Sequence, residues 1–215
     1  MNYNTSNQLT RFEKHLIAMR YWLKGKEFFR ANQAMELALS LHDGVRRDGS
    51  PEFSHQLSIA HYVKTISKSL EYLEDTFIVS FFHDSTEDGK ISEDELIKLL
   101  GVDITTSIQK VSKFIPKSDN MKKPTAYYYE RISECPIASI VKGADRIHNL
   151  QTMQGAFTNK KKWIYLEETE LLVLPMLKQA RRTFPKQELA YENIKYILEN
   201  QIALLKKIDF LDNEG

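Results

Sequence analysis

The sequence predicts an all-α fold, a compact multi-helix bundle. Three observations carry this. Glycine (8) and proline (6) are scarce among the 215 residues and fall between periodic segments. Apolar residues recur at the i, i+3, i+4, i+7 spacing that lines one face of a helix. No internal repeat or low-complexity tract interrupts that pattern. With 42% hydrophobic and 27% charged residues the chain can bury a core, which excludes an intrinsically disordered protein. At roughly 100–200 residues per domain, the expectation is one domain over residues 1–215. Residues 1–25 would add an N-terminal helix, and 186–215 a C-terminal helix packed on the core.

The elements follow in order. Gln8 to Leu23 carries Phe12, Leu16, Met19 and Trp22 or Leu23 on one face. Phe28 to Asp43 carries Ala34, Leu37, Ala38 and Leu41. Gly44 to Ser54 is a polar turn holding Arg46, Arg47, Gly49 and Pro51. Gln56 to Leu70 is the third helix and Glu74 to Ser85 the fourth. The fourth contains Thr76-Phe-Ile-Val-Ser-Phe-Phe82, a β-branched and aromatic run whose helical neighbours favour a buried helix over a strand. Ser92-Glu-Asp-Glu95 has the form of a capping box and starts a short helix ending near Gly101. Asp103 to Ser112 is another helix, and Phe114 to Pro124 a lysine-rich loop. Helices then cover Thr125 to Ser133 and Pro136 to Met153, the latter with proline in its first turn. Lys161 to Arg182 is helical with a break near Pro175. Glu188 to Phe210 closes the chain on an inner stripe of Ile194, Leu198, Ile202 and Leu205.

Charge and cysteine content exclude several function classes. Lys+Arg is 30 and Asp+Glu is 29, without the basic excess of a dedicated nucleic-acid binder. One cysteine, Cys135, permits no internal disulfide and no cysteine-based zinc site. No apolar run approaches the roughly 18 residues that span a membrane, and the N-terminus has no apolar h-region. A soluble cytoplasmic protein is the expectation.

The chemistry concentrates at His83-Asp84, two metal-capable side chains ending an apolar helix. Imidazole nitrogen and carboxylate oxygen both suit divalent transition ions such as Mn, Fe or Zn. Adjacent helical residues point about 100° apart, so both reach one ion only at the helix edge, and further ligands must come from elsewhere. His55 opens a helix upstream. Downstream, Asp145 follows Ile137, Ile140 and Val141 on an inward-packed helix, where a buried carboxylate needs a cation. Asn149 and Thr152, at i+4 and i+7 from Asp145, share its face, and Lys142 at i−3 can join it.

The order His, His-Asp, Asp on helices resembles the HD phosphohydrolase superfamily. Three longer stretches resemble one branch, the (p)ppGpp hydrolase domain of Rel/Spo homologues. Arg46-Arg-Asp-Gly-Ser-Pro-Glu-Phe-Ser-His55 resembles R-K-x-G-x-P-Y-x-x-H. His83-Asp-Ser-Thr-Glu-Asp88 resembles H-D-x-x-E-D. Lys142-Gly-Ala-Asp-Arg-Ile-His-Asn-Leu-Gln-Thr152 resembles K-L-A-D-R-x-H-N-x-x-T, the most specific of the three. Glu167-Glu-Thr-Glu-Leu-Leu-Val-Leu-Pro-Met-Leu177 is similar to the family's E-T-x-x-x-Y-A-P-L. The resemblance spans about residues 28 to 180.

The resemblance implies a 3′-pyrophosphohydrolase of (p)ppGpp-like alarmones, a small-molecule nucleotide partner, and one Mn²⁺ held by His55, His83, Asp84 and Asp145. Glu87 and Asp88 would face the attacking water and the scissile phosphate. Arg46, Arg47, Lys142, Asn149 and Thr152 would contact the nucleotide. His15, His42, His61 and His148 read as surface or packing residues, and Tyr127-Tyr128-Tyr129 as core and rim packing. With 215 residues there is no room for a synthetase half, so the expectation is a stand-alone small alarmone hydrolase. The chain departs from the family at Glu52, where tyrosine is usual, at Gln56, where proline is usual, and at Gly89, where threonine is usual. An acid at Glu52, if it reaches the base, would favour an adenine amino group, so tolerance of ppApp is expected. Two other readings stay open: an HD enzyme acting on 5′-phosphates, and a non-catalytic nucleotide sensor. The D-R-x-H-N-x-x-T context argues against the first, and the intact ligand set against the second.

Overall fold

The computed structural model describes residues 9–46, 49–112, 124–154 and 156–212. The expected 114–124 loop and Arg47 therefore fall almost wholly, and wholly, outside the described residues. The helices are α1 (Arg11–Gly25), α2 (Phe29–Leu41), α3 (Ser54–Thr65), α4 (Leu73–Phe82), α5 (Glu93–Leu100) and α6 (Val102–Val111), then α7 (Pro124–Ser133), α8 (Pro136–Thr152), α9 (Asn159–Glu168), α10 (Leu174–Thr183) and α11 (Glu188–Asp212). Among the described residues there is no strand. Val45 and Pro51 form an isolated antiparallel bridge that closes the turn before α3. The fold is the all-α helical bundle that the sequence predicts.

α8 is the axis. It packs against α3, α4, α6, α7, α10 and α11. Pro136 starts it, and the Cys135 sulfur accepts from the Ala138 N–H to cap it. Every residue from Ile137 to Ile147 is buried. At Gly143 both α10 and α11 crowd α8: a β-carbon there would sit 2.7 Å from Ile194 Cγ2 and 3.1 Å from Leu177 Cδ2. A glycine in the place of the motif's leucine therefore lets α11 press onto α8. Ile194, Leu198, Ile202 and Leu205 form the buried stripe of α11, as their spacing predicts.

α4 is enclosed by α2, α3, α6 and α8, and all its residues from Thr76 to Phe82 are buried. Its hydroxyls turn back on the helix, Thr76 to the Tyr72 carbonyl and Ser80 to the Thr76 carbonyl, both at 2.7 Å. Burial on every side explains the unbroken apolar run, and the satisfied hydroxyls explain how serine and threonine fit within it. The helix ends at Phe82, three residues before the sequence-based boundary. Residues 83–89 form a succession of turns, closed by Asp88 N–H to Asp84 O at 2.9 Å and Lys90 N–H to Ser85 O at 2.8 Å. Gly89, at φ 68°, takes the left-handed conformation that this reversal requires.

The expected break near Pro175 takes a different form. The rod from Asn159 to Thr183 stays helical, with a π-type segment at Thr169–Val173. Proline lacks an N–H and its ring crowds the carbonyl four residues back. A widened turn just before it absorbs both defects. No helix among the described residues is long and apolar enough to cross a membrane.

Candidate metal centre

Three helices and one turn bring the predicted ligands together. His55 stands in the first turn of α3, His83 caps α4, Asp84 opens the following turn, and Asp145 lies two-thirds of the way along α8. His55, His83 and Asp145 are buried, while the Asp84 side chain is 35% exposed. His55 Nε2 lies 3.3 Å from His83 Nε2 and 3.3 Å from Asp145 Oδ1. Asp84 Oδ2 lies 2.9 Å from His83 Nε2 and 3.6 Å from His55 Nε2.

The ring protons are assigned by the outer partners. His83 Nδ1–H donates to the Ser80 carbonyl at 3.0 Å. His55 Nδ1 meets His148 Nδ1 at 2.8 Å. His148 is held to about 4 by burial and by the charges of His55 and Arg46; neutral, it can accept at Nδ1, and His55 must donate there if its own Nε2 is to face an ion unprotonated. Both ligand imidazoles are then committed at Nδ1, and both turn Nε2 toward the same point. The two Nε2 atoms lie 3.3 Å apart, and each lies 2.9–3.8 Å from a carboxylate oxygen of Asp84 and of Asp145, with His55, His83 and Asp145 forming the mutually close set. That is the edge length expected around an ion with bonds of roughly 2.0–2.2 Å. The donor set fits a divalent transition ion, and the carboxylates match its charge.

The electrostatics agree. Burial opposes a charge on His83, yet Asp84 and Asp145 outweigh it and lift the imidazole to about 9. Burial likewise opposes ionised Asp84, but His83 and His55 hold it low. Asp145 is held well below the usual carboxylate range against its burial, chiefly by Lys142. A proton on His83 thus balances the charge in the position where a cation would.

The other predicted residues sort by position. Lys142 donates to Asp145 Oδ2 at 3.0 Å and is buried with it. Asn149 Nδ2 donates to Asp145 Oδ1 at 2.6 Å. Thr152 bonds the His148 carbonyl and lines, with His148, Ser54 and Tyr62, a cavity of about 620 Å³ between α1, α3 and α8. Arg46 sits on the turn before α3, close enough to bear on His148. Glu87 lines a second cavity, about 660 Å³, with Thr86, Gln109 and Arg131. Because α4 stops at Phe82, Glu87 is not one helical turn beyond His83; the 83–89 turn presents it instead. Asp88 is exposed, and partial desolvation of its carboxyl together with the charge of Asp84 pushes its pKa up.

Several functional contacts escaped the sequence reading. His148 orients His55 rather than packing at a surface; its i+3 spacing from Asp145 on one helix face was the available signal. His42 is buried and bonded to Glu52 and Ser85. Both oxygens of Glu52, expected to reach a base, are engaged with His42 and Lys90. Arg146 is fully buried. It donates to the Tyr165 carbonyl, Thr169 Oγ1, Tyr129 OH and Glu168, and lies 3.9 Å over the Tyr165 ring. The Glu-Thr run beginning at Glu168 thus supplies partners for the arginine that follows Asp145. Tyr128 and Tyr129 are buried and Tyr127 is exposed, as expected of core and rim residues.

No family model matches the chain. Its homologues are Rel/Spo (p)ppGpp synthase/hydrolase proteins. The chain is 29% identical over 203 residues to GTP pyrophosphokinase rsh of Brucella ovis, covering 83% of this chain and 26% of the relative. It is 23% identical over 203 residues to the bifunctional (p)ppGpp synthase/hydrolase SpoT of Escherichia coli, covering 92% of this chain and 28% of that one. The chain therefore spans about a quarter of the length of these relatives. A solved structure, described as a metazoan ortholog of SpoT that hydrolyzes ppGpp and plays a role in starvation responses, aligns at a TM-score of 0.57 and 19% identity, covering 77% of this chain and 93% of the other. That likeness is one of fold.

Proposed function

We propose that this chain is a Mn²⁺-dependent 3′-pyrophosphohydrolase of (p)ppGpp-like alarmones, working as one HD-type unit over residues 1–215 in the cytoplasm. The observation that carries the reading is the convergence of His55 and His83 Nε2, 3.3 Å apart with both Nδ1 atoms committed outward. The relatives named as (p)ppGpp hydrolases support the substrate class.

His55, His83, Asp84 and Asp145 would hold the ion. A divalent ion there supplies Lewis acidity to a phosphoryl oxygen and makes water a better nucleophile near neutral pH. Glu87 and Asp88, on the turn beside Asp84, accept the proton of the attacking water and orient it. The bond broken joins the ribose 3′-oxygen to phosphorus: water adds to the pyrophosphate and the 3′-oxygen leaves with a proton. Arg46, together with Arg47, supplies guanidinium donors for phosphate or base. Asn149 and Thr152 line the approach from the α8 side. Lys142 is spent on Asp145, so we assign it to holding that carboxylate rather than to the nucleotide.

The experiment is incubation of purified protein with Mn²⁺ and ppGpp, pppGpp or ppApp, followed by separation of products. Pyrophosphate with GDP or GTP is the expected result. The same assay measures the ppApp tolerance expected from Glu52. Orthophosphate release would favour a 5′-nucleotidase-like enzyme. Tight nucleotide binding without turnover would favour a sensor.

A further inference from the structure

We infer that Glu52 is a positioning residue, strapping the turn that carries Glu87 and Asp88 to the turn that carries Arg46 through a closed ring of contacts with His42, Ser85 and Lys90. The inference rests on the proposed hydrolase reading for its effect on turnover.

The ring closes in four contacts. Glu52 Oε1 meets His42 Nδ1 at 3.1 Å, and His42 Nε2 meets Ser85 Oγ at 3.0 Å. The Lys90 N–H donates to the Ser85 carbonyl at 2.8 Å, and Lys90 Nζ donates to Glu52 Oε2 at 3.2 Å. The carboxylate only accepts, so His42 carries its proton on Nδ1 and accepts from Ser85 at Nε2. Every polar atom in the ring thus has one role. The His42 side chain is fully buried, and Glu52 and Lys90 are 23% and 29% exposed, so water screens the pair less than at an open surface.

Two further features fit a strap. A β-carbon at Gly44 would come within 2.6 Å of Glu52 Oε2, so the backbone makes room for the carboxylate. The Glu52 N–H also donates to the Gly44 carbonyl at 2.8 Å, fixing the residue to its own turn. On the other side, Asp84, Glu87 and Asp88 crowd three acids onto one short turn. Lys90 closes that turn through the Ser85 carbonyl, and Glu52 holds Lys90. Asp88 offers a carboxylate oxygen within 4.8 Å of the ligand atoms of His42 and Glu52, so the strap ends next to a proposed catalytic acid. The family's usual tyrosine cannot accept from an ammonium as a carboxylate does, so this device belongs to the Glu52–Lys90 combination.

The test compares Glu52→Gln, Lys90→Met and the double variant with the unaltered chain. Glu52→Gln keeps an acceptor for His42 and loses the ionic partner of Lys90; Lys90→Met keeps the stem and loses the charge. Misplacing a reacting group by about 1 Å costs up to roughly 100-fold, so kcat for ppGpp should fall about 10- to 100-fold in each variant. KM and the Mn²⁺ dissociation constant should stay within about threefold, and the double variant should be no slower than either single one. Amide exchange at Asp88 and Lys90 should accelerate at least about tenfold, while α8 amides are unchanged. Unchanged exchange and kcat would overturn the strap. Recovery of kcat at raised Mn²⁺ would overturn it too, since His42, Glu52 and Asp88 would then be holding a second cation. If the unaltered chain hydrolyses none of the nucleotides, the hydrolase reading fails, and the exchange measurement still decides whether Glu52 holds the turn.

Discussion

His55 and His148 meet Nδ1 to Nδ1 at 2.8 Å, and this contact decides which nitrogen of His55 faces the candidate ion. One of the two must donate. A neutral His148 can accept at Nδ1, and an ion at His55 Nε2 requires the His55 proton on Nδ1, so ion binding makes His55 the donor. Outer partners of this kind fix the tautomer and the ring angle of a ligand histidine.

Replacing His148 with phenylalanine keeps a ring of similar size and removes the acceptor. Mn²⁺ affinity should fall about 10- to 100-fold, with the fold retained by circular dichroism. Unchanged affinity by calorimetry would show that His55 needs no orienting partner.

Chelation should make stability depend on pH in a definite direction. In the metal-free protein His83 is raised from 6.5 to about 9. A raised pKa means that the folded state binds the proton more tightly, so this stabilisation is complete below the unfolded value and is lost as pH rises through the folded one. The melting temperature of chelated protein should therefore drop between about pH 6.5 and about pH 9. Mn²⁺ replaces the proton and stabilises the fold by mass action, so the loaded protein should not show that drop. Parallel curves with and without Mn²⁺ would refute the exchange of proton for metal.

Glu87→Gln and Asp88→Asn remove a carboxylate with little change of shape. If these acids accept the proton of the attacking water, kcat should fall by about 10²–10⁴ with Mn²⁺ still bound. Near-normal kcat in both variants would assign the proton to another group.

Arg146 should carry stability rather than chemistry. Its partners on α7, α9 and the π-type segment would lose their cationic donor in Arg146→Leu, and breaking a buried ion pair costs about 3–5 kcal/mol. Lysine should not restore it, because a single ammonium cannot serve Tyr129, Tyr165, Glu168 and Thr169 at once. A denaturation midpoint close to that of the unaltered chain would show that the buried guanidinium contributes nothing net.

The amino-acid sequence alone determined the helices and named the candidate ligands. Apolar spacing placed α8 and α11 within a few residues, because a buried helical face must repeat at the period of the helix. The order of His55, His83-Asp84 and Asp145 marked the candidate metal centre, because few side chains bind a divalent ion and these stand on inward-packed segments. What only the tertiary structure decided lies between segments. α4 stops at Phe82 because the chain must turn there to reach α5, and no local signal marks that residue. His148 faces His55 from 93 positions away, and Glu52 reaches Lys90 across 38. Hydrogen bonds of that range depend on how helices are set against one another, and a one-dimensional pattern of polar and apolar residues carries no such distance. Glu52 could therefore be read as a base-facing acid, although packing had already committed both its oxygens.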